Sequence, residues 1–457
     1  MLIQTKYGKI QGEKKDGYTV YKGIPYAKPP VGKLRFKKPQ PMEAWSGIYQ
    51  ARKFGSKCLQ LGSEPGSFYY KEFYSHPEFD VSQSEDCLYL NIWVPDHAEN
   101  EQCPVALWIH GGAFSNGTGS ELPFVGTEFV KRKVILVTIN YRLGVFGFLC
   151  HPLITELNSA EEGCANYGLW DQVMALNWVY ENIGAFGGNS KKITLFGQSA
   201  GAMSLQQLAE TSAINNHCSG MILQSGGGYG SDFNRAPYLD DAYKVGENLM
   251  EKMGIPKNLW KESEAGKQQT YHQLYEISAE ELQKYAGKMI AESLKTWSPL
   301  PFVPVIDKDL LKEDVDEMIE AKKFQKIPYI LGANSQDMAA SDKLDKTPDD
   351  DMMHRANVDF AKIANTCDDA SAYVYYFKRQ LPGDDAGAFH SAELWYIFGC
   401  FEYCWRPMTG ADRALSDEMI DCWTNFMYTG NPGKDWKPCT KEESFVKIFD
   451  VVSHSQN

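Results

Sequence analysis

Between positions 193 and 209 a short β-rich segment, Ile193-Thr194-Leu195-Phe196, runs into Gly197-Gln198-Ser199-Ala200-Gly201 and then into a helical pattern marked by Ala202, Met203, Leu205, Gln206, Leu208 and Ala209. A strand that becomes a helix within five residues demands a buried sheet with a helix folded back on it, which excludes most architectures. Glycines at 197 and 201 remove the side chains that would collide where the two elements meet. Ser199 is left at the apex on a strained backbone. Its hydroxyl stands at a helix N-terminus, where backbone N–H groups meet developing negative charge. This is the arrangement of a nucleophile for acyl transfer, and it calls for an acid and a histidine further along the chain.

The rest of the chain fits such a sheet. Val105–Ile109 and Val134–Ile139 are short continuous apolar runs rich in β-branched residues, as fully buried strands are. Ile193–Phe196, Met221–Leu223, Tyr329–Leu331 and Tyr373–Phe377 continue the series, with helical patterns at Leu169–Asn182, Leu239–Met253, Ala279–Ser293 and Ala411–Tyr428. The alternation predicts an α/β chain: a mostly parallel sheet with helices on both faces. At 457 residues, 43% hydrophobic, it is expected to form one catalytic domain, 1–457, with helical and loop insertions over the site.

A net charge of −13 argues against nucleic acid or an anionic membrane as partner. The stretch Met1–Lys9 lacks an apolar run of signal-peptide length, and Val134–Cys150 is interrupted by Asn140 and Arg142, so a cytoplasmic protein is expected. Eleven cysteines without a C-x-x-C pair indicate neither a zinc site nor a disulfide framework, and no cofactor or metal is expected. Cys400 and Cys404 are expected on one face of a helix. Asp342–Asp350 reads as a solvated acidic loop. Gly62–Gln83 crowds six aromatic rings into a loop, either as anchors or as the wall of a substrate gorge.

A serine needs a base at neutral pH. Five histidines follow Ser199: His217, His272, His354, His390 and His454. His390 follows the Tyr373–Phe377 strand, in the kind of loop where α/β sites form, and is the best placed. Asp337 follows the Tyr329–Leu331 strand and is the chosen acid, with Asp307 and Glu393 as competitors. His110-Gly111-Gly112-Ala113-Phe114 follows the Val105–Ile109 strand. With Ala200, the N–H groups of Gly112 and Ala113 would make a three-donor oxyanion hole.

These residues resemble the type-B carboxylesterase family of α/β-hydrolases. Phe186–Gly201 fits its serine signature, and Glu85-Asp86-Cys87-Leu88-Tyr89-Leu90-Asn91-Ile92-Trp93-Val94-Pro95 fits a second. Gly23–Ala27, Pro29–Gly32, Leu34–Phe36, Asn140–Gly144, Gln224–Gly226 and Thr429–Pro432 extend the likeness along essentially the whole chain. The resemblance implies an α/β-hydrolase fold and the triad Ser199, Asp337, His390, with Gly112, Ala113 and Ala200 as oxyanion donors. Three features depart from the family's pattern. Asp337 stands where glutamate is usual, Gln198 where many relatives have glutamate, and the stretch between Asp337 and Tyr373 is short. The resemblance also places Cys58 and Cys87 where secreted relatives form a disulfide, here expected reduced, and Ser225 where a supporting hydrogen bond is expected. The implied activity is hydrolysis of small-molecule carboxylic esters, short-chain or aryl, through an acyl-enzyme. A non-catalytic binding protein of the same family and a lipase are the alternatives, and oligomeric state is left open.

Overall fold

The computed structural model describes residues 1–214, 216–261, 263–296, 298–337 and 351–451. The acidic segment at 342–350 and His454 lie outside them. A ten-stranded sheet organises the molecule. Its strands in chain order are β1 (Glu13–Lys14), β2 (Tyr18–Pro25), β3 (Tyr89–Pro95), β4 (Cys103–Ile109), β5 (Ile135–Ile139), β6 (Gly188–Gln198), β7 (Gly220–Gln224), β8 (Tyr329–Asn334), β9 (Ala372–Phe377) and β10 (Val446–Phe449). They lie in the order β10-β9-β8-β7-β6-β4-β5-β3-β2-β1. From β10 to β5 every pairing is parallel, and β3, β2 and β1 close the other edge antiparallel. Leu2–Gln4, Lys9–Gln11 and Ile48–Gln50 form a separate small sheet.

The continuous apolar runs are explained by burial on two faces. Val105, Leu107 and Ile109 of β4 enter one core while Ala106 and Trp108 enter another, and Ile135, Val137 and Ile139 of β5 oppose Leu136 in the same way. One core also takes Leu169, Val173 and Leu176 from the helix Tyr167–Asn182 and Leu205 and Leu208 from the helix Ala200–Ala209. The other takes Leu415, Met419 and Trp423 from the helix Gly410–Thr429. Period-two alternation thus sends each strand's side chains to helices on opposite sides. Each large apolar side chain so buried is worth about 1.5–3 kcal/mol, more than an exposed ion pair contributes.

The interior strands match their sequence expectations, whereas β1, β2 and β10 carry no comparable apolar run; β3 carries one, Ile92-Trp93-Val94, set off by Asn91. In β2 the register slips between Tyr21 and Ile24, which breaks the alternation a strand is recognised by. Cys400 and Cys404 do not share a helical face. Gly399, at φ 65°, ends the helix Leu394–Phe398, and the two cysteines flank a single 3₁₀ turn.

Because β4, β6, β7, β8 and β9 are parallel, their C-terminal ends emerge at one edge. The close approach there rests on Gly201: a Cβ at this position would lie 2.1 Å from the Ile109 carbonyl oxygen and 2.9 Å from that of His110. Backbone on both sides leaves nothing to yield. Gly201→Ala is therefore expected to cost about 3 kcal/mol, read as a lower urea midpoint at unchanged slope. An unmoved midpoint would show that the elbow tolerates a side chain.

Candidate active site

Ser199 sits between the end of β6 and the helix Ala200–Ala209 at φ 55°, ψ −126°. No β-carbon is comfortable there, so the surrounding hydrogen bonds must impose the conformation. They do so from both sides: the Ser199 N–H donates to the Gln224 carbonyl at 2.8 Å, and the Ser199 carbonyl accepts from Met203 N–H at 2.9 Å, opening the helix. The first of these bonds belongs to the neighbouring strand, so the turn is held by the sheet.

The acid and histidine segments are joined in the same manner. Beyond β8 and β9, Gln336 and Phe389 form a parallel bridge, and Ala388 N–H donates to Gln336 Oε1 at 2.7 Å. Asn334 Nδ2 donates to the Phe389 carbonyl at 2.8 Å. This lattice places Asp337 Oδ1 against His390 Nδ1, a short hydrogen-bonded contact. The other aspartate oxygen accepts from Asn334 N–H at 2.9 Å. The Asp337 carboxylate is 1% exposed and the His390 ring 16%, so the pair is weakly screened but reachable from outside. Burial alone would lower the affinity of His390 for a proton. The charge and hydrogen bond of Asp337, helped by Glu393, outweigh it and hold the imidazole above its ordinary value.

With Nδ1 paired to Asp337, Nε2 is the nitrogen left to face the elbow. Its partner is the Gln198 side-chain amide at 3.2 Å; among the described residues no hydrogen bond joins Ser199 Oγ to His390. Gln198 stands out in the sequence only as a replacement for glutamate, and no local pattern signals this contact. The competing carboxylates are engaged elsewhere. Glu393 accepts from Asn334 Nδ2 at 2.5 Å and Gln224 Nε2 at 3.2 Å. Burial, together with the charge of Asp337, pushes its carboxyl up to about 7. Asp307 accepts from Asn166 Nδ2 and from the N–H groups of Asp309, Leu310 and Leu311, which makes it a loop anchor.

The loop after β4 packs on the serine: a Cβ at Gly111 would lie 3.1 Å from Ser199 Cβ. Gly112, Ala113 and Phe114 take positive φ values of 99°, 55° and 57°. The Gly112 carbonyl accepts from Ser115 and Asn116 N–H groups at 2.9 Å. Among the described residues, the N–H groups of Gly112, Ala113 and Ala200 find no acceptor in the protein. The Asn140–Gly144 stretch backs this loop: Tyr141 stacks on His110 at 4.5 Å and donates its hydroxyl to the His110 carbonyl at 2.9 Å. Arg142 is fixed to buried Asp171 at 2.7 Å and 2.8 Å. Burial drives His110 down to about 4, against the pull of the Gly111 carbonyl, so this second histidine is a neutral structural ring near pH 7.

Part of the aromatic loop anchors it to the body, and part stays exposed. Phe73 is buried against Trp395, and Phe79 packs on Phe54 and Tyr403. Phe68 and Tyr69 stay about two-fifths exposed. Phe68 meets the ring of Phe389 at 4.9 Å, and Tyr69 donates its hydroxyl to the His390 carbonyl at 3.4 Å. Ser225 Oγ is buried and, among the described residues, makes no hydrogen bond to the protein. Cys58 and Cys87 are buried free thiols, and the hydrogen bond that the Cys87 thiol donates to Cys58, with burial, pushes the Cys87 thiol well up. Among the described residues, no cluster of three or more His, Cys, Asp or Glu could hold a metal ion, and no helix is long and apolar enough to cross a membrane.

A serine elbow at the carboxyl edge of this sheet is the mark of the α/β-hydrolase fold. The chain belongs to the carboxylesterase family, which it matches over residues 1–366 and 339–455, and it is a carboxylic ester hydrolase. It is 32% identical to para-nitrobenzyl esterase of Bacillus subtilis, over 98% of this chain and 94% of that one. Juvenile hormone esterase of Tribolium castaneum is 37% identical over 73% of this chain and 54% of its own. Among solved structures, a PNB esterase superposes with a TM-score of 0.81 at 30% identity, covering 99% of this chain and 96% of the other. A carboxylesterase of Geobacillus stearothermophilus superposes with a TM-score of 0.78 at 30% identity, covering 99% and 97%.

Proposed function

We propose that this esterase hydrolyses small carboxylic esters, aryl esters among them, with Ser199 as nucleophile, His390 as general base and Asp337 as the acid that orients it. The observation that carries the assignment is the Asp337–His390 contact, which fixes a proton on Nδ1 and turns an Nε2 lone pair toward the elbow. Rotation of Ser199 Oγ into line displaces the Gln198 amide from Nε2, a rearrangement within the looseness of such bonds before substrate binds. Nε2 then takes the hydroxyl proton as Oγ attacks the ester carbonyl. The oxyanion is met by the N–H groups of Gly112, Ala113 and Ala200, whose unspent donors support that role. The C–O bond breaks as the alcohol leaves with the proton from Nε2. Water then gives its proton to Nε2 and attacks the acyl carbon, which returns the proton to Ser199 and releases the acid.

Two observations favour aryl esters. Phe68 and Tyr69 present exposed rings beside the His390 segment, and a relative at 32% identity is a para-nitrobenzyl esterase. The whole chain acts as one catalytic domain, since loops from both halves of the sequence build the site. A cytoplasmic setting fits eleven cysteines that are all free thiols. Purified protein is expected to be labelled by a fluorophosphonate and to turn over para-nitrophenyl acetate and butyrate with kcat/KM of about 10⁴ M⁻¹s⁻¹ or more. Absence of labelling would favour a non-catalytic binding protein, and faster turnover of emulsified long-chain esters would favour a lipase.

A further inference from the structure

The aromatic loop and the histidine loop are more than 300 residues apart in sequence, and one buried side chain grips both. Arg406 donates from Nη2 to Glu72 Oε1 at 2.7 Å and from Nε to the same carboxylate at 3.1 Å and 3.2 Å. Its Nη1 donates to Asp384 Oδ1 at 2.6 Å and to the Pro382 carbonyl at 3.0 Å, while Nη2 also reaches Asp384 Oδ2 at 3.2 Å. The side chains of Arg406 and Glu72 are fully buried, and Asp384 is 31% exposed. Glu72 lies in a π-helical turn, Tyr70–Tyr74, immediately after Tyr69. On the other side, the guanidinium lies 5.2 Å from the ring of Phe389, the residue before His390. Trp405 Nε1 completes the site with a 2.8 Å hydrogen bond to Glu72 Oε1.

A buried ion pair adds little net stability because desolvating both charges offsets their attraction. What it does supply is geometry, since the planar guanidinium presents its donors in a fixed fork that an ammonium lacks. Here the fork spans two loops that meet again at Tyr69 Oη with the His390 carbonyl and at Phe68 with Phe389. We propose that Arg406 is a positioning residue for His390: by holding Glu72 and Asp384 together it makes the Phe68–Tyr69 wall and the histidine loop move as one body. The inference deepens, and rests on, the assignment of His390 as general base.

Two variants test it. Asp384→Asn loosens the partly exposed arm and leaves Glu72 paired; Arg406→Lys keeps the charge and loses the fork. In both, kcat for para-nitrophenyl acetate is expected to fall about tenfold with KM within about twofold, since small displacements of a catalytic group weaken the reaction more than binding. Amide exchange is expected to quicken in 66–76 and 382–393 together, and Arg406→Lys to lose more than Asp384→Asn. Wild-type kcat and exchange in both folded variants, or a lowered Tm with kcat unchanged well below it, would overturn the proposal. A wild-type protein inert toward esters would strike the assignment of His390 instead, and paired exchange in the two segments would still decide whether Arg406 couples them.

Discussion

Replacing Ser199 by alanine is expected to lower kcat for para-nitrophenyl esters by about 10⁶-fold, the scale seen when a nucleophile that works as a unit with its base is lost. The fold should be indifferent to the change. The Ser199 hydroxyl makes no hydrogen bond to the protein among the described residues, and alanine at φ 55° is no more strained than serine. The strand and helix contacts that impose the turn come from the backbone of 199 itself. Tm is therefore expected to move by no more than about 2 °C, and circular dichroism to be unchanged. Fluorophosphonate labelling should vanish with the activity. Turnover retained by the alanine variant would mean that another residue attacks the ester, and the assignment of the elbow would fall.

Asp337→Asn is the second large effect, a loss of about 10⁴-fold in kcat. The aspartate accepts at two oxygens, from His390 Nδ1 and from Asn334 N–H. An asparagine keeps one acceptor and turns a donor on the other side. With the carbonyl retained by Asn334 N–H, the amide NH₂ faces Nδ1, the proton moves to Nε2, and the base can no longer accept from serine. The pH dependence follows the sign of the same interaction. As the proposed base, His390 must be neutral to act, so kcat/KM is expected to fall as pH drops through its pKa. Burial favours the neutral ring, and the charge and hydrogen bond of Asp337 raise the value despite it. Removing that charge lowers the pKa, so the acid limb of the residual activity should move to lower pH. A limb that stays in place, or moves up, would show that Asp337 is not the group that tunes His390.

Much of this site was legible before any coordinates because its chemistry is written locally. The Gly197–Gly201 elbow needs small residues where β6 meets the helix, and the loop 110–114 needs backbone free to turn; both requirements restrict residue type at adjacent positions. The interior strands were equally visible, since burial on two faces leaves only apolar runs. Asp337 was harder to choose. Its place after a strand sets it ahead of Asp307 and Glu393, and the bridge between Gln336 and Phe389 is what brings it to the histidine.

The amino-acid order by itself determined the α/β pattern, the serine on its elbow, the glycine loop beside it and the family to which the chain belongs. The first three follow from short-range sterics and from the period of buried side chains, and the family from the motifs that carry the resemblance. Only the tertiary structure shows how Asp337 is carried to His390, that Gln198 rather than Ser199 holds Nε2, and that Arg406 joins loops more than 300 residues apart. Such contacts depend on where the ends of strands arrive in space, and strand order is set by long-range packing that no local pattern records.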